Sequence, residues 1–127
     1  MFVGGYRPPE VLPAGFATGE LAHVDLASFS GDAPFAWVVF AAAPGDLALP
    51  FGDGRNLGLA YDALLALSLA SPAVLLTPLA PDGSGATASF TVPFAPGTAL
   101  YTAAVSLAFS PAVALDEVTD VAAITVE

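Results

Sequence analysis

The chain has no cysteine and no lysine, and only two arginines, one histidine, one tryptophan and one methionine among its 127 residues. Without cysteine there is no disulfide framework and no thiolate nucleophile. A single histidine, His23, cannot assemble a usual zinc site without cysteines beside it. Two arginines against twelve acidic residues leave a net charge of -10, which repels nucleic-acid phosphate and anionic lipid and excludes both as partners. Lysine is also a common guard of exposed sheet edges, so proline or burial against a partner must do that work here. The most apolar stretch, Leu57 to Leu76, is broken by Asp62, Ser68, Ser71 and Pro72. It falls short of the roughly 18 apolar residues that a membrane-spanning helix needs. The N-terminal Met1 to Pro9 has neither the basic start nor the apolar centre of a signal peptide. Gly52-Asp53-Gly54 and Gly83-Ser84-Gly85 lack the lysine and spacing of a phosphate loop, and no Gly-x-Ser-x-Gly elbow is present.

What is present is apolar and frequently interrupted. Hydrophobic residues make up 56% of the chain and charged ones 11%, against roughly 25% charged in an ordinary soluble domain. The length suits one domain with one core. Twelve glycines and twelve prolines recur along the whole sequence, leaving room for short strands and little for helices.

Between these breaks the pattern has period two. In Leu21 to Phe29, Ala22, Val24 and Leu26 share one face while His23 and Asp25 share the other, as in a half-solvated strand. In Thr87 to Val92 the inward set is Ala88, Phe90 and Val92, and in Leu100 to Ser110 it is Tyr101, Val105, Leu107 and Phe109. Phe35 to Ala43 is apolar on both faces, and Val121 to Val126 shows the same feature. In a two-layer sandwich the outer face normally meets water, so this pattern predicts cover by a terminal segment, a neighbouring module or another subunit. Leu57 to Leu69 fits helical spacing as well, but the strand-like segments around it and Pro72 soon after favour strands. The expected fold is all-β: a single antiparallel β-sandwich of about eight short strands over residues 19–127, jelly-roll or immunoglobulin-like, preceded by an extended arm or linker over residues 1–18.

From about Phe35 onward the order of features resembles the C-terminal β-sandwich modules of large secreted proteins from planctomycetes and similar bacteria. The residues that carry it are the apolar strand Ala36 to Ala42, the loop Leu49-Pro50-Phe51-Gly52-Asp53-Gly54, the leucine-rich Leu64 to Leu69, Asp82-Gly83-Ser84-Gly85-Ala86 before a Thr/Phe/Val strand, and Ile124-Thr125-Val126. Arg55-Asn56 stands where the pattern has a cysteine or polar residue, and no glutamine-containing strand follows Leu100. The resemblance implies an extracellular or cell-surface module of a longer protein with no activity of its own.

His23 and Asp25, two apart on one strand face, have the residue types of a base and its orienting group, and equally those of a solvated strand face. Asp32, Asp46, Asp53 and Asp82 sit beside glycine or proline, where aspartate caps turns with its own side chain. Calcium is the metal that such hard oxygen ligands suit. The candidates are Asp53 with Asn56, Asp82 with Ser84, and Asp116, Glu117 and Asp120, none in the alternating acidic loop of an EF-hand. Tyr6, Trp37, Tyr61 and Tyr101 are the aromatic platforms on which a glycan would stack, though Trp37 sits among apolar neighbours as a core ring does. A catalytic role is not expected. Self-association, or packing on adjacent domains of the same parent protein, is the expectation that accounts for the charge-poor surface. The arm carries Phe2, Val3, Tyr6, Val11 and Leu12 as interface candidates, and an extended arm that adds to a neighbour's sheet edge head to tail builds a filament.

Overall fold

In Leu21–Ala27 (β2) the expected alternation holds: Ala22, Val24 and Leu26 are buried and the residues between them are partly exposed. The computed structural model describes residues 9–29, 33–45, 57–108 and 114–127. β2 is the centre of the first sheet. Glu10–Ala14 (β1) lies antiparallel on one side of it, and Gly85–Ala86 (β5) and Phe90–Thr91 (β6) pair successively along the other. The second sheet runs in the order Leu76–Pro78 (β4), Phe35–Ala41 (β3), Ala99–Ala108 (β7), Ala114–Val118 (β8), with Ala122–Thr125 (β9) also on β7. The protein is therefore an all-β sandwich of two antiparallel sheets.

Two of its strands are interrupted, and the same device bridges both gaps. Between β5 and β6 the Thr87 N–H donates to the Val24 carbonyl and the Val24 N–H donates to the Thr87 hydroxyl oxygen at 3.0 Å. Between β8 and β9 the Thr119 N–H donates to the Ala104 carbonyl and the Ala104 N–H donates to the Thr119 hydroxyl oxygen at 2.9 Å. A threonine side chain thus stands in for a missing backbone carbonyl where the ladder would otherwise leave a buried donor unpaired. Counting each interrupted strand once leaves seven among the described residues: the first, second and fifth in one sheet, and the fourth, third, sixth and seventh in the other. That is an immunoglobulin-like arrangement, with the fourth strand beside the third, rather than the two Greek keys of a jelly roll.

Val11, Val24, Leu26, Val38, Phe40, Leu100 and Ile124 fill the space between the sheets. A second apolar cluster lies on the other side of the second sheet, where Val39, Ala41, Ala103, Val105 and Leu107 meet Leu57, Leu59 and Leu65. This corrects the expectation that a terminal segment, another module or another subunit covers the second face of β3. The chain covers it with its own segment from Leu57 to Leu65. It also corrects the one-sided reading of β7. Tyr101, Val105 and Leu107 face the second cluster, Leu100 and Ala104 face the main core, and Phe109 lies outside the described residues.

The strands expected over Leu57 to Leu69 give way to a helix, Ala63–Leu69 (α1), followed by Pro72–Leu75 (α2). Alanine and leucine are the best uncharged helix formers. Asp62 supplies the N-cap, its Oδ1 accepting from the Leu65 N–H at 3.0 Å. Tertiary contacts then fix the helix on the edge of β3 just beyond the end of β4. Buried Ser68 accepts from the Phe40 N–H at 3.0 Å, its carbonyl accepts from Trp37 Nε1 at 3.1 Å, and Asp62 Oδ2 accepts from the Ala42 N–H at 2.9 Å. The helix thereby pairs an edge that lysine does not guard. The Leu65 N–H is the main reason the Asp62 carboxyl titrates below its ordinary 3.8, with the Ala42 and Leu64 N–H groups assisting. A lowered folded-state pKa adds stability above the unfolded value and loses it as pH falls through the folded value. We expect Asp62→Ala to cost about 1 kcal/mol in urea unfolding near neutral pH. The gap to the parent should narrow below about pH 4. A gap independent of pH would show that the charge contributes nothing.

The Thr87 to Val92 expectation also needs revision. Only Phe90–Thr91 is strand, Ala88 is exposed and Thr87 is buried, because the threonine turns inward to bridge the gap. The proposed boundary at residue 18 moves as well. Glu10–Ala14 pairs with β2 along its whole length and Val11 is buried in the core, so this segment is part of the sandwich.

Candidate functional site

At the pole of the sandwich where β2 begins and β3 ends, three phenylalanines from distant parts of the sequence meet. Phe16 follows β1, Phe40 lies near the end of β3 and Phe90 opens β6. Their ring centroids are 5.8 to 6.0 Å apart at tilted or edge-on angles, the geometry aromatic quadrupoles favour. They form the floor of a groove of about 210 Å³ whose walls are Leu64 and Leu67 of α1, Val74 of α2, and Phe94. Among the described residues no charged side chain lines it, and the polar ones are Ser68, Ser71 and Thr91. Ser68 and Ser71 donate their hydroxyls to carbonyls one turn back in the helical segment, at Leu64 and Leu67. Leu67 stands 61% exposed at the rim. An apolar cavity of about 150 Å³ accommodates benzene, so this groove has room for an aromatic side chain.

The groove exists because α1 is a helix. One face of α1 puts Leu65 into the second cluster and Ser68 onto the β3 edge, which leaves Leu64 and Leu67 turned toward Phe40. Two further depressions, of about 350 and 550 Å³, border the turn after β1 and hold no apolar cluster comparable with the phenylalanine triangle.

The sequence-derived candidates scatter. His23 Nε2 lies 3.2 Å from Asp25 Oδ1 on the outer face of the first sheet. The register places Ala14 beside the histidine, and Leu12 and Ala86 beside the aspartate, none of which is a nucleophile. Asp82 Oδ1 accepts from the Ser84 hydroxyl at 2.6 Å and the Ser84 N–H at 3.0 Å. The hydroxyl, then the N–H, holds the Asp82 carboxyl below its ordinary range. Its Oδ1 closes a turn. Asp53, Asn56 and the Asp116 side chain lie outside the described residues, Glu117 is half-buried and Asp120 exposed, and among the described residues no three histidines or carboxylates converge as metal ligands. Of the aromatic platforms, Tyr61 is exposed, Tyr101 packs on the second cluster, Trp37 touches both clusters, and Tyr6 lies outside the described residues with Phe2 and Val3. Val11 is buried in the protein's own core and Leu12 is exposed on the outer face of β1. No described helix is long and apolar enough to cross a membrane. Comparison with known protein families, with curated proteins and with solved structures finds no match to this chain.

Proposed function

We propose that this protein is a non-catalytic interaction module that self-associates, presenting the phenylalanine-floored groove as its receptor surface. As the resemblance drawn from its sequence implies, it would work outside the cell as a subunit or segment of a surface assembly. The observation that carries the reading is the groove itself, an open apolar cleft with no charged side chain among its described lining residues and with exposed Leu67 at its rim. Leu69 and Tyr61 are also exposed, along and just before α1, outside the lining of the groove. Contiguous apolar surface of this kind marks association sites.

Light scattering across a concentration series tests it. The mass of the parent should rise above 12.7 kDa with concentration, whereas Leu67→Asp should weaken association by at least tenfold with little change in melting temperature, because Leu67 is exposed. A parent that remains at 12.7 kDa up to roughly millimolar concentration, where only the weakest contacts are lost, removes the self-association reading.

A further inference from the structure

We propose that the groove is filled by Met1 to Tyr6 of a second copy, joining molecules head to tail; the proposal rests on the self-association reading above. The segment and the groove belong to opposite poles. The groove lies at the Leu21 end of β2, where Leu21 pairs with Thr91, while the segment joins β1 at the Ala27 end, where Glu10 pairs with Ala27. Six strand residues separate the two ends, about 20 Å. Tyr6 is four residues before Glu10, about 14 Å at full extension, so Tyr6 cannot enter its own groove, and any seating of the segment that includes Tyr6 is between molecules. A neighbouring molecule stacked pole to pole has no such restriction.

The chemistry of the segment matches the groove. Phe2, Val3 and Tyr6 offer two rings and one branched side chain, and the groove takes aromatic groups against Phe16, Phe40 and Phe90. Charge agrees as well. No lysine or arginine occurs among the described residues, whereas Arg7 follows directly after Tyr6. Two exposed acidic residues line the depressions next to the groove: Glu20, whose carbonyl accepts from Val92 N–H, and Glu127, whose N–H donates to the Phe16 carbonyl. Seating Tyr6 in the cleft brings Arg7 toward this acidic rim.

The outer edge of β1, unpaired among the described residues, is a poorer receptor. Val24 turns its N–H and C=O toward Thr87, so Pro13, opposite Val24 in the register, directs its backbone away from β2. Proline has no N–H to give an added strand, and this interrupts the ladder on the open side of β1. Donor and receptor at opposite poles form a heterologous contact, which repeats into an open chain or closes into a ring.

A mixing experiment on the full-length chain tests the proposal. The variant Phe2→Ser/Val3→Ser/Tyr6→Ser keeps the groove and lacks the donor; Leu67→Asp keeps the donor and lacks the groove. Each should be monomeric alone at concentrations where the parent assembles. Mixed, they should form a one-to-one dimer that grows no further, since each partner has one competent end. Arg7→Glu in the parent should weaken association about threefold, as is usual for an exposed pair. A triple-serine variant that assembles like the parent overturns the donor assignment and leaves self-association standing; two monomeric variants that fail to pair overturn the head-to-tail contact. A parent that never associates removes the earlier reading itself.

Discussion

Thr87→Val and Thr119→Val combined should lower unfolding free energy by about 2–6 kcal/mol, the sum of two losses of about 1–3 kcal/mol each. Valine keeps the shape and the strand propensity of threonine, so neither a cavity nor a local preference enters the comparison. What changes is a buried donor in each sheet. The N–H groups of Val24 and Ala104, both residues with no solvent exposure, lose the hydroxyl oxygens that accept from them. The two sites lie in different sheets, roughly 10 Å apart across the core, so their costs should add closely. Native stability is commonly about 5–15 kcal/mol, which makes the double variant marginal near body temperature. Urea unfolding gives the energy, and amide exchange gives the site, because Val24 and Ala104 should lose protection ahead of their strand neighbours. Threonine to serine at the same positions should recover most of the loss. A double valine variant within about 1 kcal/mol of the parent would show that water or a shifted backbone satisfies both amides, contrary to this geometry.

The parts of this fold that could be read from the sequence are those where polar and apolar residues alternate. β2 is legible because His23 and Asp25 mark its wet side, whereas Val121 to Val126 reads as apolar on both faces although its Ala123 is exposed. β3 and β7 are legible as strands but not as to their cover. An apolar second face states that something must lie on it, and the segment that does so, Leu57 to Leu65, is the one whose period is ambiguous. Asp62 ahead of an Ala/Leu run was a usable helix signal. It was outweighed by the surrounding strands, although a loop long enough to cross a sheet face and hold an edge accommodates one short helix. Thr87 misleads for a related reason. Alternation assigns threonine to water, yet where a strand breaks its hydroxyl is worth more inside as a substitute carbonyl. The groove was not legible at all. Phe16, Phe40 and the pair Phe90 and Phe94 come from three separate stretches that only the strand order brings to one pole.

The turn that joins β4 to β5 carries the other large expected effect, at Gly83. Ala80 to Gly83 is a β-turn with Pro81 and Asp82 at its centre, closed by the Gly83 N–H donating to the Ala80 carbonyl at 2.8 Å. The chain then reverses through a left-handed residue, Gly83 at φ +83°, so that the Ala80 N–H meets the Ser84 carbonyl and the Phe29 N–H meets the Gly83 carbonyl. A side chain there meets two obstacles. The left-handed conformation costs any other residue about 1–3 kcal/mol, and a Cβ would fall 1.9 Å from the Phe29 carbonyl oxygen, which is backbone and has no rotamer into which to retreat. The segment after β2 must therefore move, and with it the Phe29 ring, which is buried in the main core. Gly83→Ala should cost on the order of 3–4 kcal/mol, a fall of about 10–20 °C in melting temperature for a domain of this size. Gly19→Ala is the matched control, because Gly19 has nearly the same φ, +77°, with open space around it. It carries the conformational cost without the collision and should lose about 1 kcal/mol. Equal losses at the two glycines would mean that the contact between Gly83 and Phe29 relaxes freely and that the turn is not fixed to the core.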